Sequence, residues 1–205
     1  DKLVGDLLRA AEAQAGAGNV VAVLTADHGV APVPEENQKR KMPGGRFDSK
    51  ALQSAVEAAL QGKLGGTHWV AYASEAGLYL NVQGKGNPAE AERIAASVIR
   101  EFPHVARAYT HSQLDRGEVP ADEIGAAIRN GFNPARSGNV LIVLEPYWIE
   151  RDSGTSHGTP YGYDAHVPIL FWGARVKAGR YHASVAPNDI APTLATMLDV
   201  ETPSG

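Results

Sequence analysis

The stretch Val20-Val21-Ala22-Val23-Leu24-Thr25-Ala26-Asp27-His28-Gly29 decides how this chain of 205 residues folds. Its first five residues form an unbroken apolar run, as in a strand buried on both faces of a parallel sheet. Asp27 and His28 follow this predicted strand at the end where open α/β sheets place their sites. A carboxylate beside an imidazole suits a divalent ion such as zinc, and Gly29 permits a tight turn there. The alternative is a structural Asp/His turn closed by the glycine.

Apolar patterns elsewhere in the chain predict the rest of an α/β layered core. Two more strands are expected at Val140–Leu144 and Val167–Trp172, and helices from about Lys2 to Gln14 and from Asn188 to Leu198. The first helix starts almost at the first residue, with no initiating Met and no apolar leader before it. We therefore expect the chain to be part of a longer protein.

The region between the first two core strands has a different pattern and predicts an inserted α+β subdomain. Its predicted helices are Ser49–Leu60, Ala89–Arg100 and Glu123–Asn130, and its predicted strands are Trp69–Ala73, Leu78–Val82 and Val105–Tyr109. Ser74-Glu75-Ala76-Gly77 joins the first two of these strands as an antiparallel hairpin. We therefore predict a core made of residues 1–34 and 139–205, with the subdomain at residues 35–138.

The composition disfavours several classes of function. The net charge is −4 and the Lys and Arg residues are scattered, apart from Lys39-Arg40-Lys41, so nucleic acid is not an expected partner. The apolar runs are far shorter than the about 20 residues that cross a bilayer, so no membrane span is expected. The sequence has no Cys, which leaves His, Asp, Glu, Ser and Thr for metal binding or catalysis.

A second polar segment, Gly154–Pro168, leads directly into the last predicted strand, and its two histidines make a second set of metal ligands possible. Many glycine-rich loops are only connections. Taken together, however, Thr25-Ala26-Asp27-His28-Gly29, Ser156-His157-Gly158 and Tyr163-Asp164-Ala165-His166-Val167-Pro168 resemble the C-terminal half of the alkaline phosphatase superfamily. The sequence is most similar to bacterial alkaline phosphatases with a threonine nucleophile, near the nucleotide pyrophosphatase/phosphodiesterases.

This resemblance implies a three-layer α/β/α core and two Zn²⁺ ions about 4 Å apart. It assigns Asp27 and His28 to the ion on the side of the nucleophile and His157 to the other ion. The threonine nucleophile, the Asp before it and an Asp-x-x-x-His ligand pair belong upstream of this chain. No Asp of the present sequence is followed by His four residues later.

Two further residues are expected to support the ligands. Asp164 could orient a ligand imidazole, as carboxylates beside metal-bound histidines often do, or it could cap a turn. His166 is expected to be structural or supporting, because the family has either His or Arg at that position.

The implied function is hydrolysis of a small phosphoester by a phosphomonoesterase that forms a phosphothreonine intermediate, in the periplasm or outside the cell. This chain alone would then be inactive. The spacing His157-Gly158-Thr159-Pro160-Tyr161 before Tyr163-Asp164 favours the monoesterase, because the diesterases usually have a shorter His-Gly-Tyr-Asp. The alternatives are a phosphodiesterase or nucleotide pyrophosphatase of the same superfamily, and a non-catalytic globular fragment or binding module.

Overall fold

A computed structural model describes residues 1–202 and consists of helices and short strands. The helices are α1 (Lys2–Ala15), α2 (Pro34–Lys39), α3 (Ser49–Leu64), α4 (Pro88–Arg100), α5 (His111–Asp115), α6 (Glu123–Gly131), α7 (Gly162–Ala165) and α8 (Ile190–Leu198), with a 3-10 turn at Pro187–Asp189. The strands are β1 (Val21–Leu24), β2 (Gly45–Arg46), β3 (Val70–Ala73), β4 (Gly77–Leu80), β5 (Val105–Thr110), β6 (Val140–Leu144), β7 (Trp148–Ile149) and β8 (Leu170–Gly173). Every helix and strand predicted from the sequence occurs, with its ends shifted by a few residues.

The chain divides into two compact units. Named only by their place in the sequence, the outer unit consists of the two terminal segments, Asp1–Asp27 and the segment from Val167 onward, and the central unit of the intervening residues His28–His166. The domain boundaries expected at 34/35 and 138/139 stay a prediction.

In the outer unit, β1 pairs with β8, from Val21 opposite Gly173 to Leu24 opposite Leu170. The two strands run antiparallel, so the expectation of a parallel neighbour for the first strand is wrong for this pair. The expected burial of β1 on both faces is also wrong, since none of its residues is buried and Leu24 is 57% exposed. An unbroken apolar run does not encode the direction of the partner strand or what covers the two faces. The expected position of the polar motif is confirmed, because β1 ends at Leu24 and Thr25 to Asp27 follow its carboxyl end.

The central unit contains a four-stranded antiparallel sheet with the order β3-β4-β6-β5. The apolar run of β6 predicts a strand of the α/β core, but β6 is an inner strand of this sheet and pairs with β4 and β5 of the predicted subdomain. Its residues Val140 and Val143 are buried, so the apolar run predicted burial correctly and the sheet incorrectly. Both β3 and β4 form the predicted hairpin.

Helices α3 and α4 supply most of the remaining core of the central unit. In α3, Leu52, Val56 and Leu60 recur every four residues and have no exposed surface, because this spacing places them on one face of the helix. The helix begins at a defined residue, since the Asp48 carboxylate accepts a hydrogen bond from the backbone N–H of Ala51. These features fix the sheet and its helices as one packed body.

The short elements α2, α5, α7, β2 and β7 were not predicted, because segments of two to six residues carry too little periodicity to detect. The parallel pair of β2 and β7 places Gly45 opposite Trp148. Within residues 1–202, the helices are all too short or too polar to cross a membrane.

Candidate active site

The central unit brings the two predicted ligand histidines into contact. The imidazole rings of His28 and His157 stack with their centroids 3.6 Å apart and their planes 11° from parallel. His28 is half-buried and His157 is exposed. Two motifs that are far apart in the sequence therefore place their imidazole rings side by side.

A backbone hydrogen bond selects the tautomer of His28. Its Nδ1 lies 2.7 Å from the carbonyl oxygen of Gly29, and a carbonyl oxygen can only accept. Nδ1 therefore carries the proton in the neutral ring, and the lone pair lies on Nε2, as in many metal-binding histidines.

Gly29 holds the two motifs together through its backbone. Its N–H donates to the carbonyl oxygen of Asp164 at 2.7 Å, and a Cβ atom here would overlap the carbonyl of Tyr163. The sequence predicts a tight turn at this glycine, whereas in the structure the glycine permits the close approach of two backbone segments. Next to it, the backbone N–H of Ala31 donates to the carbonyl oxygen of Ser156 at 3.0 Å.

Asp164 closes the loop that follows His157. It is almost fully buried, and its Oδ2 accepts a hydrogen bond of 2.6 Å from the backbone N–H of Thr159. This contact corresponds to the turn-capping alternative, while a role in orienting an imidazole stays a prediction. Among the described residues, Asp164 Oδ1 and Thr159 Oγ1 are buried without a hydrogen-bond partner.

Tyrosine side chains anchor the same loop to the core of the central unit. The hydroxyl of Tyr161 donates to the carbonyl oxygen of Leu144 in β6 at 2.6 Å, and burial raises the pKa of this phenol. The hydroxyl oxygen of Tyr163 accepts from the backbone N–H of Tyr147 at 3.2 Å. The loop that carries His157 is therefore fixed on the sheet.

Two glutamates that the sequence analysis missed support the start of this loop. The buried Ser156 hydroxyl donates to Glu75 Oε1 at 2.6 Å, and the other Glu75 oxygen accepts from the backbone N–H of Glu150 at 2.5 Å. In return, Glu150 Oε2 accepts from the backbone N–H of Glu75 at 3.0 Å. Glu75 lies in the predicted hairpin turn, and nothing in the sequence near Ser156 indicates that the two residues meet.

The other two predicted residues are exposed. Asp27 is the last residue of the outer unit, directly before His28 in the chain, and His166 is the last residue of the central unit. The backbone N–H of His166 donates to the carbonyl oxygen of Gly162 at 3.0 Å.

Imidazole and carboxylate donors of this kind suit zinc, so the chemistry of the donors fits the implied ion. Within residues 1–202, however, no group of three or more His, Asp or Glu residues is arranged to hold a metal. The donors therefore fit part of a zinc site rather than a complete one.

Comparison with known proteins defines the class. A solved structure of the alkaline phosphatase PafA matches 100% of this chain and 40% of its own chain, with a TM-score of 0.89 and 26% sequence identity. The predicted fold class, a partial α/β/α core of the alkaline phosphatase type with an inserted α+β subdomain, is thereby confirmed.

The sequence comparisons agree. A protein of Myroides odoratus named calcium-transporting ATPase is 32% identical over 212 residues, which cover 100% of this chain and 38% of that protein. Alkaline phosphatase PafA of Elizabethkingia meningoseptica is 28% identical over 211 residues, with the same two coverages. The model of the type I phosphodiesterase / nucleotide pyrophosphatase family matches residues 1–164. The chain belongs to this family, and it spans about two-fifths of the length of the relatives it matches.

Proposed function

We propose that this chain contributes part of the active site of a two-zinc phosphoester hydrolase that acts as a phosphomonoesterase. The observation that carries this proposal is the stacking of His28 and His157, which come from the two motifs that resemble alkaline phosphatases. The similarity to PafA over the full length of the chain supports the same class of reaction.

In this proposal, His28 Nε2, His157 and Asp27 are zinc ligands, and the remaining ligands and the threonine nucleophile come from upstream of this chain. Bound zinc would polarise phosphoryl oxygen atoms and activate the nucleophile. The residues of this chain would hold the two ligand imidazoles in position. The hydrogen bond from His28 to Gly29 orients one ring, and the anchors at Asp164 and Tyr161 hold the loop of the other.

The expected substrate is a small phosphoester, and the net charge of −4 argues against a nucleic acid. The resemblance to alkaline phosphatases supports a periplasmic or secreted location for the complete protein. The match to a family named for phosphodiesterases favours a second candidate, a phosphodiesterase or nucleotide pyrophosphatase. An enzyme of this second kind would hydrolyse bis-p-nitrophenyl phosphate in preference to p-nitrophenyl phosphate.

The test compares two histidine variants of the complete enzyme. His157→Ala should lower the zinc content measured by elemental analysis, together with the turnover of p-nitrophenyl phosphate. His166→Arg should keep most of both the zinc and the turnover. The resembling family has either His or Arg at this position, and a permanently protonated arginine cannot serve as a metal ligand. Equal zinc loss in the two variants would contradict the assignment of His157.

The isolated 205-residue chain is expected to bind zinc weakly and to hydrolyse no p-nitrophenyl phosphate. A catalytic zinc normally has three protein ligands, and this chain offers each ion fewer than that in the proposed assignment. Zinc-dependent turnover by the isolated chain would show that the nucleophile lies within it.

A further inference from the structure

An apolar pocket of about 360 Å³ opens beside His157 in the central unit. Its walls come from α6, β6, the segment at Trp148 and the loop from His157 to Pro160. Ligand-binding pockets in proteins start at about 300 Å³ and are lined mainly by hydrocarbon with a few polar groups, so this pocket falls within their size range.

The lining determines what kind of group the pocket can take. Ile128, Ile142 and Pro160 provide hydrocarbon walls, and neither Lys nor Arg contributes to the lining. Besides the imidazole of His157, the charged group in the lining is Glu75, whose oxygen atoms already accept from Ser156 and Glu150. A phosphate group would lose its hydration there without gaining a cation, whereas an uncharged organic group would be favoured.

The aromatic wall is held in place before any ligand binds. The indole of Trp148 stacks on the imidazole of His104, with centroids 3.3 Å apart and planes 8° from parallel. Gly45 lies opposite Trp148 in the pair of β2 and β7, and a Cβ at Gly45 would overlap the indole ring. Less conformational freedom is therefore lost when a ligand binds, which favours affinity.

We infer that this pocket binds the uncharged aryl group of a phosphoester substrate. The inference rests on the proposed function, since it places the phosphoryl end of the ester toward His157. An engineered cavity of about 150 Å³ in another protein binds benzene, so a pocket of about 360 Å³ accommodates one or two fused rings. The substrate class is then aryl phosphoesters rather than esters of small alcohols.

The experiment fills the pocket in the complete enzyme and measures selectivity. Ala127→Trp places an indole in the lining of the pocket, and Ala126→Trp adds the same group to an exposed neighbouring position of α6 that is not in the lining. The readout is the ratio of kcat/KM for 1-naphthyl phosphate to kcat/KM for methyl phosphate. We expect the ratio to fall about tenfold in Ala127→Trp and to stay unchanged in Ala126→Trp, since a small apolar difference in a pocket changes selectivity by about this factor or more.

An unchanged ratio in Ala127→Trp would overturn the inference. A titration with 1-naphthol separates this outcome from failure of the proposed function. Binding to the wild type and to Ala126→Trp but not to Ala127→Trp, without any hydrolysis, would reject the hydrolase and support the aryl pocket. Absence of 1-naphthol binding to the wild type would overturn the pocket itself.

Discussion

The two units of this chain differ in how they bury their apolar residues. In the central unit, α3, α4 and the four-stranded sheet enclose a continuous core in which Leu52, Leu60 and Ile99 have no exposed surface. In the outer unit, α1 buries no residue completely, and Leu3 and Leu7 are 82% and 69% exposed. Apolar residues in the two units thus reach very different degrees of burial.

This difference indicates where the stability of the chain comes from. Burial of apolar surface is the main favourable term in folding, so the central unit has the elements of a self-sufficient domain. The exposed apolar residues of the outer unit include Leu24, Leu170 and Trp172 on its paired strands. Contiguous exposed apolar surface is typical of sites where a protein contacts another segment or molecule.

The largest expected effect tests the comparison directly with one substitution in each unit. Leu52→Ala removes a fully buried side chain from α3 and should lower the free energy of unfolding by about 2–5 kcal/mol, through lost burial and the cavity that remains. Leu7→Ala in α1 should change it by less than about 0.5 kcal/mol, because that side chain is already mostly exposed. Urea unfolding followed by circular dichroism measures both, and equal losses would show that the outer unit has a packed core of its own.

Much of the central unit could be predicted because its signals are local. The helix over Ser49 to Leu64 and the hairpin of β3 and β4 follow from apolar spacing and turn residues within one segment. The partner of β6 could not be predicted in this way. Pairing depends on residues far apart in the chain, and a run buried on both faces fits any inner position of a sheet.

In the candidate site, too, local features could be predicted from the sequence and long-range contacts could not. Its ligands could be proposed because Asp27-His28 and Ser156-His157 are short motifs with a recognisable composition. The support from Glu75 to Ser156 could not, since the two residues are 81 positions apart. The need for Gly29 was foreseen, but its cause was not, because the cause is a backbone that approaches from the other motif.

A medium effect is expected when glycine is replaced by alanine in the two units. Gly29→Ala in the central unit should destabilise the protein by about 1–3 kcal/mol or more, because the added Cβ overlaps the Tyr163 carbonyl and the backbone must shift. Gly5→Ala in α1 should have the opposite sign and stabilise that helix by up to about 1 kcal/mol, since a Cβ there meets only the flexible Arg9 side chain. Thermal unfolding measures the stability of both variants, and circular dichroism measures their helix content. If Gly29→Ala left the stability unchanged, the tight contact between the two motifs would be refuted.

The smallest expected effect concerns a carboxylate in each unit and depends on pH. Burial raises the pKa of Glu57, but backbone N–H groups of Val70 and Trp69 and the amide of Gln61 donate to the carboxylate and leave the pKa below its ordinary value. A lowered folded-state pKa stabilises the protein above the unfolded pKa, about 4.3, and this contribution is lost as the pH falls through the folded-state pKa. Glu57→Gln should therefore cost about 1 kcal/mol at pH 7 and progressively less as the pH falls below about 4.

Asp6 in α1 is the matched carboxylate of the outer unit. Its hydrogen bonds with Lys2 and Arg9 lower its pKa, but all three side chains are exposed to solvent, where ion pairs are screened. Asp6→Asn should therefore leave the free energy of unfolding unchanged within error at every pH. Urea unfolding between pH 3 and pH 7 measures both variants against the wild type. If the Glu57→Gln difference stayed constant down to pH 3, the ionised carboxylate would not be the group that ties α3 to β3, and shape alone would account for the contact.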